Sequence, residues 1–181
     1  MAWITKDSAN TQIDRRDEPY LTDEIKRHVS ETYLPRYEKK QGALLPTLHE
    51  VQHAHGWLPH QALIEIAEFL EISPGEVIDT ASFYEEYWLQ PKGTHVIAVC
   101  RSIACEFCDA GALTQRCRER LGIEIGETTD DEKFTLVELE CIGSCGTAPA
   151  MLFNETLHEN ATPEKIDELI DTAPDEPGHG H

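Results

Sequence analysis

The sequence predicts the α+β fold class: a small N-terminal helical bundle followed by an α/β sandwich. Three observations carry that prediction. Apolar residues recur at helical spacing up to about residue 90. Pro91-Lys92-Gly93 then interrupts them, and the remainder alternates strand-like apolar runs with helical segments. All six cysteines lie in this second part, between Cys100 and Cys145.

Residues 1–20 are polar, mix charges and contain Pro19, which predicts a flexible arm. Thr22 followed by Asp23 and Glu24 is an N-cap with an acidic first turn, and its helix should run to about Tyr33, before Pro35. Leu44, Leu48, Val51 and Gln52 place a second helix that ends at Gly56. Pro59 opens a third, marked by Leu63, Ile66, Ala67 and Leu70. Ser73-Pro74-Gly75-Glu76 is the capping-box pattern of a fourth, with Val77 and Ile78 turned inward. Residues 21–92 thus make up the helical bundle.

Beyond the break, residues 95–99 read as a buried strand that delivers Cys100 at its end. A helix follows over about 109–121, with Leu113, Cys117 and Leu121 in one row. Residues 134–140 form a second strand leading to Cys141, and 151–153 a third, followed by a turn at Asn154-Glu155. Thr162-Pro163-Glu164 caps a last helix bearing Ile166, Leu169 and Ile170. Over 93–173 the order is strand, helix, strand, strand, helix, that of a small thioredoxin-like α/β sandwich. The tail, 174–181, reads as disordered.

The bulk composition narrows the function classes. A chain of 181 residues with 40% apolar content can bury a core. A formal charge of −19 opposes binding to nucleic acid or to an anionic membrane surface, and it suits a basic docking partner. No apolar run reaches the roughly 18 residues of a membrane span or forms a signal peptide. These features predict a cytoplasmic protein with no direct membrane insertion. In such a reducing compartment, clustered cysteines point to metal or redox chemistry rather than disulfides.

One further motif competes for attention. His49-Glu50-Val51-Gln52-His53 matches H-E-x-x-H, which binds zinc through two histidines one helical turn apart and uses the glutamate as general base. The longer metzincin form would need a third histidine at position 59, which is Pro59. Roughly one chain in twenty of this composition shows the short pattern by chance. With Leu44, Leu48 and Val51 facing the bundle, His49 and His53 belong to its outer face. A zinc hydrolase is therefore the weaker reading.

The stronger signal is Cys100-x4-Cys105 and Cys141-x3-Cys145. Each pair follows a predicted strand, so neighbouring strands of one sheet would bring both to one edge. Four thiolates there can hold a [2Fe-2S] cluster, two on each iron. Structural zinc more often uses C-x2-C knuckles. Gly143 and Gly146 let the second loop bend closely and aim amides at sulfur.

"LLPTLHEVQHAHGWLP", "VIDTASFYEEYW", "GTHVIAVCRSIAC" and "VELECIGSCGTAPAMLFN" together resemble the thioredoxin-like 2Fe-2S subunit of respiratory complex I, the E subunit of the bacterial NADH:quinone oxidoreductase. The resemblance spans about residues 21–172, and Pro149 follows the second cysteine pair as in that family. It implies that Cys100, Cys105, Cys141 and Cys145 ligate one 2Fe-2S cluster and that the chain is an electron-transfer subunit. It also implies docking on the FMN- and NADH-binding subunit, which would carry both of those cofactors, and beyond it the larger iron-sulfur subunit. The location implied is the cytoplasmic side of the inner membrane, peripheral, through the complex. No G-x-G-x-x-G, phosphate loop or nucleophile elbow is present, so no catalytic residue for NADH turnover is expected on this chain.

Similar subunits serve NAD-dependent hydrogenases and formate dehydrogenases, and a free thioredoxin-like ferredoxin is a further alternative. Cys108 departs from the family pattern and creates Cys100-x4-Cys105-x2-Cys108, the start of plant-type ferredoxin spacing. That arrangement would want one distant ligand, where this chain offers a pair. Cys117, in the apolar row, reads as a small core hydrophobe. Trp57, Tyr84, Tyr87 and Trp88 mark 57–90 as a docking region to the extent that they are exposed.

Overall fold

A computed structural model describes residues 15–175, which divide into two compact units, 15–91 and 92–175. Most of the arm expected over 1–20 and of the tail expected over 174–181 lies outside the described residues. The described end of the arm is not free as expected: Arg16 N–H donates to Gln61 Oε1 at 3.0 Å, and the Arg16 guanidinium lies 3.5 Å over the Tyr20 ring.

The first unit contains four helices: α1 (Asp23–Thr32), α2 (Leu44–His55), α3 (His60–Leu70) and α4 (Pro74–Phe83). Their ends follow from local chemistry. Thr22 Oγ1 accepts from Ile25 N–H to cap α1, and Ser73 with Glu76 forms the complete capping box of α4. Gly56 closes α2 in the left-handed region at φ 79°, which costs glycine nothing. Leu48, Val51, Ile66, Leu70 and Val77 pack into one core, while Ile78 is only partly buried against it.

The second unit carries a four-stranded sheet of order β2-β1-β3-β4, made of β1 (His95–Cys100), β2 (Phe134–Leu139), β3 (Met151–Phe153) and β4 (Thr156–His158). β1 and β2 are parallel, with Cys100 opposite Leu139; β3 is antiparallel to both β1 and β4. Every residue of the central β1 is buried, as its unbroken apolar run requires. Three helices accompany the sheet: α5 (Ile103–Phe107), α6 (Ala110–Leu121) and α7 (Pro163–Thr172). The short α5 and β4 are additions to the element order expected from sequence, and β2 stops one residue earlier than expected. His95, fully buried at the start of β1, stacks on Phe153 and sits 2.8 Å from Pro174 O through Nε2.

Helices α6 and α7 are joined by ionic contacts. Arg116 reaches both Asp167 oxygens at 2.9 and 2.7 Å, and Arg120 adds a third contact at 2.7 Å. Hydrogen bonding from Arg116, and then from Arg120, holds the Asp167 carboxyl below its ordinary range. A lowered folded-state pKa stabilises the protein above the unfolded carboxyl's pKa of about 3.9, and that contribution is lost as pH falls further, through the folded value. Thermal unfolding of wild type and Asp167→Asn between about pH 6 and pH 2.5 should show wild type ahead at the upper end and the two converging at the lower. A constant difference across that window would contradict the ionic account.

Candidate functional site

The parallel register fixes where the cysteines go. Because β1 and β2 run in one direction and end side by side, the loops that leave them emerge at the same edge of the sheet. Cys100 is the last residue of β1, and Cys105 lies one turn into α5, with both side chains buried. Cys141 lies two residues beyond β2, and Cys145 opens a three-residue 3-10 turn; both are exposed.

The structure brings the four sequence-predicted residues close together, Cys105 beside Cys100 and Cys141 beside Cys145. Each pair is near enough for its thiols to perturb one another, and Cys145 is close enough to both Cys100 and Cys105 for their charges to interact. Burial, followed by the Cys100 contact, pushes the Cys105 thiol up. The contact with Cys141 does the same to Cys145. Cys141 moves the opposite way, because the Gly143 N–H donates to its Sγ at 3.4 Å and the Cys145 and Ser102 side chains lie close to it as well. Gly143 reaches that sulfur with φ 78°, a left-handed conformation that disfavours side chains. The second-loop amide is thus aimed at sulfur as its glycine suggests.

The two remaining cysteines separate cleanly. Cys117 is wholly buried in the inner row of α6, and burial pushes its thiol up to about 12. Cys108 is exposed at the C-terminal end of α5.

Among the described residues no three His, Cys, Asp or Glu side chains are grouped to hold a single metal ion. A mononuclear zinc site asks for four ligands converging on one point, and a dinuclear cluster for two sulfurs on each of two irons. The donor set is all thiol, which suits iron-sulfur chemistry.

For His49, Glu50 and His53 the finding is negative. Glu50 Oε1 accepts from Tyr33 Oη at 2.8 Å and lies 3.5 Å from His28 Nε2. The His49 ring rests against Tyr87 with centroids 5.0 Å apart, and His49 does not line the open groove that Glu50 and His53 share. Glu50→Gln should leave the iron content of the purified chain unchanged, as measured by metal analysis. Loss of iron in that variant would reopen the question of a metal role for this helix.

Sequence reasoning missed three kinds of residue here. Ile103 and Phe107 stand on one face of α5, 72% and 86% exposed, while Cys105 between them points inward. Ser102 contacts Cys141. Ser144, Thr147 and Glu159 form a side-chain network beside Cys145. The i, i+4 spacing of two large apolar residues around Cys105 was a readable sign of the first; no local pattern announces the others. Of the four aromatics singled out as docking candidates in 57–90, Tyr87 is buried and Tyr84 is exposed, but the most exposed aromatic of that segment is Phe83, which was not among them.

Comparison with known proteins agrees with this geometry. The family model for thioredoxin-like [2Fe-2S] ferredoxin matches residues 30–174. The E subunit of NADH-quinone oxidoreductase from Rickettsia bellii is 36% identical over 163 residues, 90% of this chain and 93% of that one. Its namesake from Escherichia coli is 35% identical over 145 residues, 80% of this chain and 87% of its own. Among solved structures, the NAD+-reducing [NiFe]-hydrogenase in its H2-reduced state superposes with a TM-score of 0.62 at 29% identity. That match covers 71% of this chain but only 21% of the hydrogenase chain. With the family model spanning most of the sequence and these relatives covered over most of their length, the chain belongs to the thioredoxin-like [2Fe-2S] ferredoxin family, alongside the E subunits of NADH-quinone oxidoreductase.

Proposed function

We propose that this chain is the electron-transfer E subunit of an NADH:quinone oxidoreductase, holding its one [2Fe-2S] cluster through Cys100, Cys105, Cys141 and Cys145. It exchanges single electrons there with the flavin of an FMN- and NADH-binding partner subunit, next to the larger iron-sulfur subunit. The observation that carries this reading is the meeting of two thiol pairs at one sheet edge. A bound cluster supplies a one-electron store whose potential responds to charge and hydrogen bonds.

The chain's own residues do the rest. Cys100 and Cys105 are kept from water, which shields that half of the site. The Gly143 amide donates to Cys141 Sγ, and Ser102 and the Ala150 backbone lie close enough to Cys141 and Cys105 to stabilise their charge, so sulfur charge is met by nearby dipoles. Ile103 and Phe107 form an apolar face outside the same ligand helix, which supports docking of a partner close to the cluster. Among the described residues no helix is long and apolar enough to cross a membrane, so attachment on the cytoplasmic side of the membrane would come through the complex.

The test is anaerobic purification with iron and sulfide analysis, EPR after dithionite reduction, and identification of co-purifying subunits. About two irons and two sulfides with a rhombic signal, together with an FMN-binding subunit, are expected. One zinc without iron would overturn the reading. The superposition on the NAD+-reducing hydrogenase favours one second reading, membership of a hydrogenase complex. Nickel-bearing partner subunits in the same preparation would select it.

A further inference from the structure

The turn that carries Cys145 is only three residues long and has no side-chain cap of its own. Ser144 and Thr147 bracket it, and both hydroxyls converge on one carboxylate from beyond β4. Thr147 Oγ1 donates to Glu159 Oε1 at 2.6 Å, Ser144 Oγ lies 3.2 Å from the same oxygen, and the two hydroxyls are 2.6 Å apart. The backbone seals the same seam: Asn160 N–H donates to Thr147 O and Ala161 N–H to Pro149 O, each at 2.8 Å. Residues 159–161 therefore run alongside 147–149, with the three side chains closing the seam at the cysteine end.

A carboxylate is suited to this position because one oxygen can accept from two hydroxyls, whereas a hydroxyl or amide nitrogen in its place would bring a competing donor. Among the described residues no lysine, arginine or histidine forms a salt bridge with Glu159, so its charge is not locally neutralised. Ordering the loop and placing a negative charge beside it are separable effects. The first concerns how firmly Cys145 is held; the second concerns how readily an electron is accepted nearby.

We propose that Glu159 is a positioning residue for the cluster: it tethers the Cys145 turn through Ser144 and Thr147, and its unpaired charge holds the reduction potential down. This rests on Cys145 being a ligand, as proposed above. The test compares anaerobically purified, cluster-bearing wild type with Glu159→Gln and Glu159→Ala. Two quantities are read: the rate of iron release to a chelator, and the midpoint potential from an EPR-monitored redox titration. Glu159→Gln keeps an acceptor oxygen and loses the charge, so its release rate should stay within about twofold of wild type while its potential rises. Glu159→Ala removes the tether, and iron should leave about tenfold faster, the scale on which outer-shell partners act. Wild-type release from the Ala variant, or an unmoved potential in the Gln variant, would overturn the proposal. A wild-type chain that binds no iron would instead overturn the ligand assignment beneath it.

Discussion

Cys145→Ala should leave the purified chain without its iron, with content falling from about two atoms per chain towards none and the reduced-state EPR signal lost. The reason is the pairing of the thiols. Each iron of a dinuclear cluster draws two sulfurs from the protein, so with the proposed ligand set the loss of Cys145 would leave Cys141 as the sole protein thiol of its pair. Cys108 is exposed at the end of α5, and Cys117 is sealed in the core. Cys108→Ala and Cys117→Ala should therefore both retain about two irons. Iron loss from Cys108→Ala, with Cys145→Ala unaffected, would mean that the plant-type spacing and not the paired loops describes the site.

Gly93→Ala should destabilise the second unit by about 1–3 kcal/mol, because the added methyl group has nowhere to go. A Cβ at Gly93 would lie 2.8 Å from both the N and C backbone atoms of Phe134 and 2.9 Å from the Lys133 carbonyl carbon. These are backbone atoms of β2 and its approach, so no flexible side chain can swing aside. The Gly93 N–H also donates to Thr135 Oγ1 at 2.6 Å, and any shift that relieves the clash strains that bond. Relief must come from moving the start of β1 away from β2, the two strands whose ends present the cysteine pairs. Urea unfolding should show a lower midpoint, and iron should be lost at a lower urea concentration than in wild type. An unchanged midpoint would show that the strand entry is softer than its contacts imply.

Much of the architecture was legible in the sequence because it is written locally. Thr22, Ser73 with Glu76, and Gly56 are capping residues whose hydrogen bonds close within a few positions, and all three end helices as read. The run over 95–99 could be recognised as a buried strand because β1 is covered along its whole length. β4 escaped notice because it has only three residues and none is buried, leaving neither an apolar run nor an alternation to detect. The five-residue α5 is shorter than the periodicity needed to see a helix.

At the site, spacing singled out the four thiols that the fold brings to one edge, but it could not supply partners distant in the chain. The Glu159 contacts to Ser144 and Thr147 exist only because the β3–β4 hairpin folds back, and Tyr33 meets Glu50 only once α1 packs on α2. The second of these explains a conspicuous motif without metal: the glutamate of H-E-x-x-H is held by a tyrosine hydroxyl. Its function as a general base has no support in that geometry.

The parallel pairing of β1 with β2 also orders the events of biosynthesis. Between Cys105 and Cys141 lie 35 residues, including all of α6 and β2. A nascent chain that has emerged only as far as α6 offers two thiols and no second pair. The two proposed thiol pairs meet only after β2 has docked on β1, a contact between segments far apart in sequence and hence slow to form. With the proposed ligand set, cluster delivery would therefore act on a folded second unit rather than on the chain as it leaves the ribosome. Copies truncated before β2 would then lack the second thiol pair and fail to acquire colour.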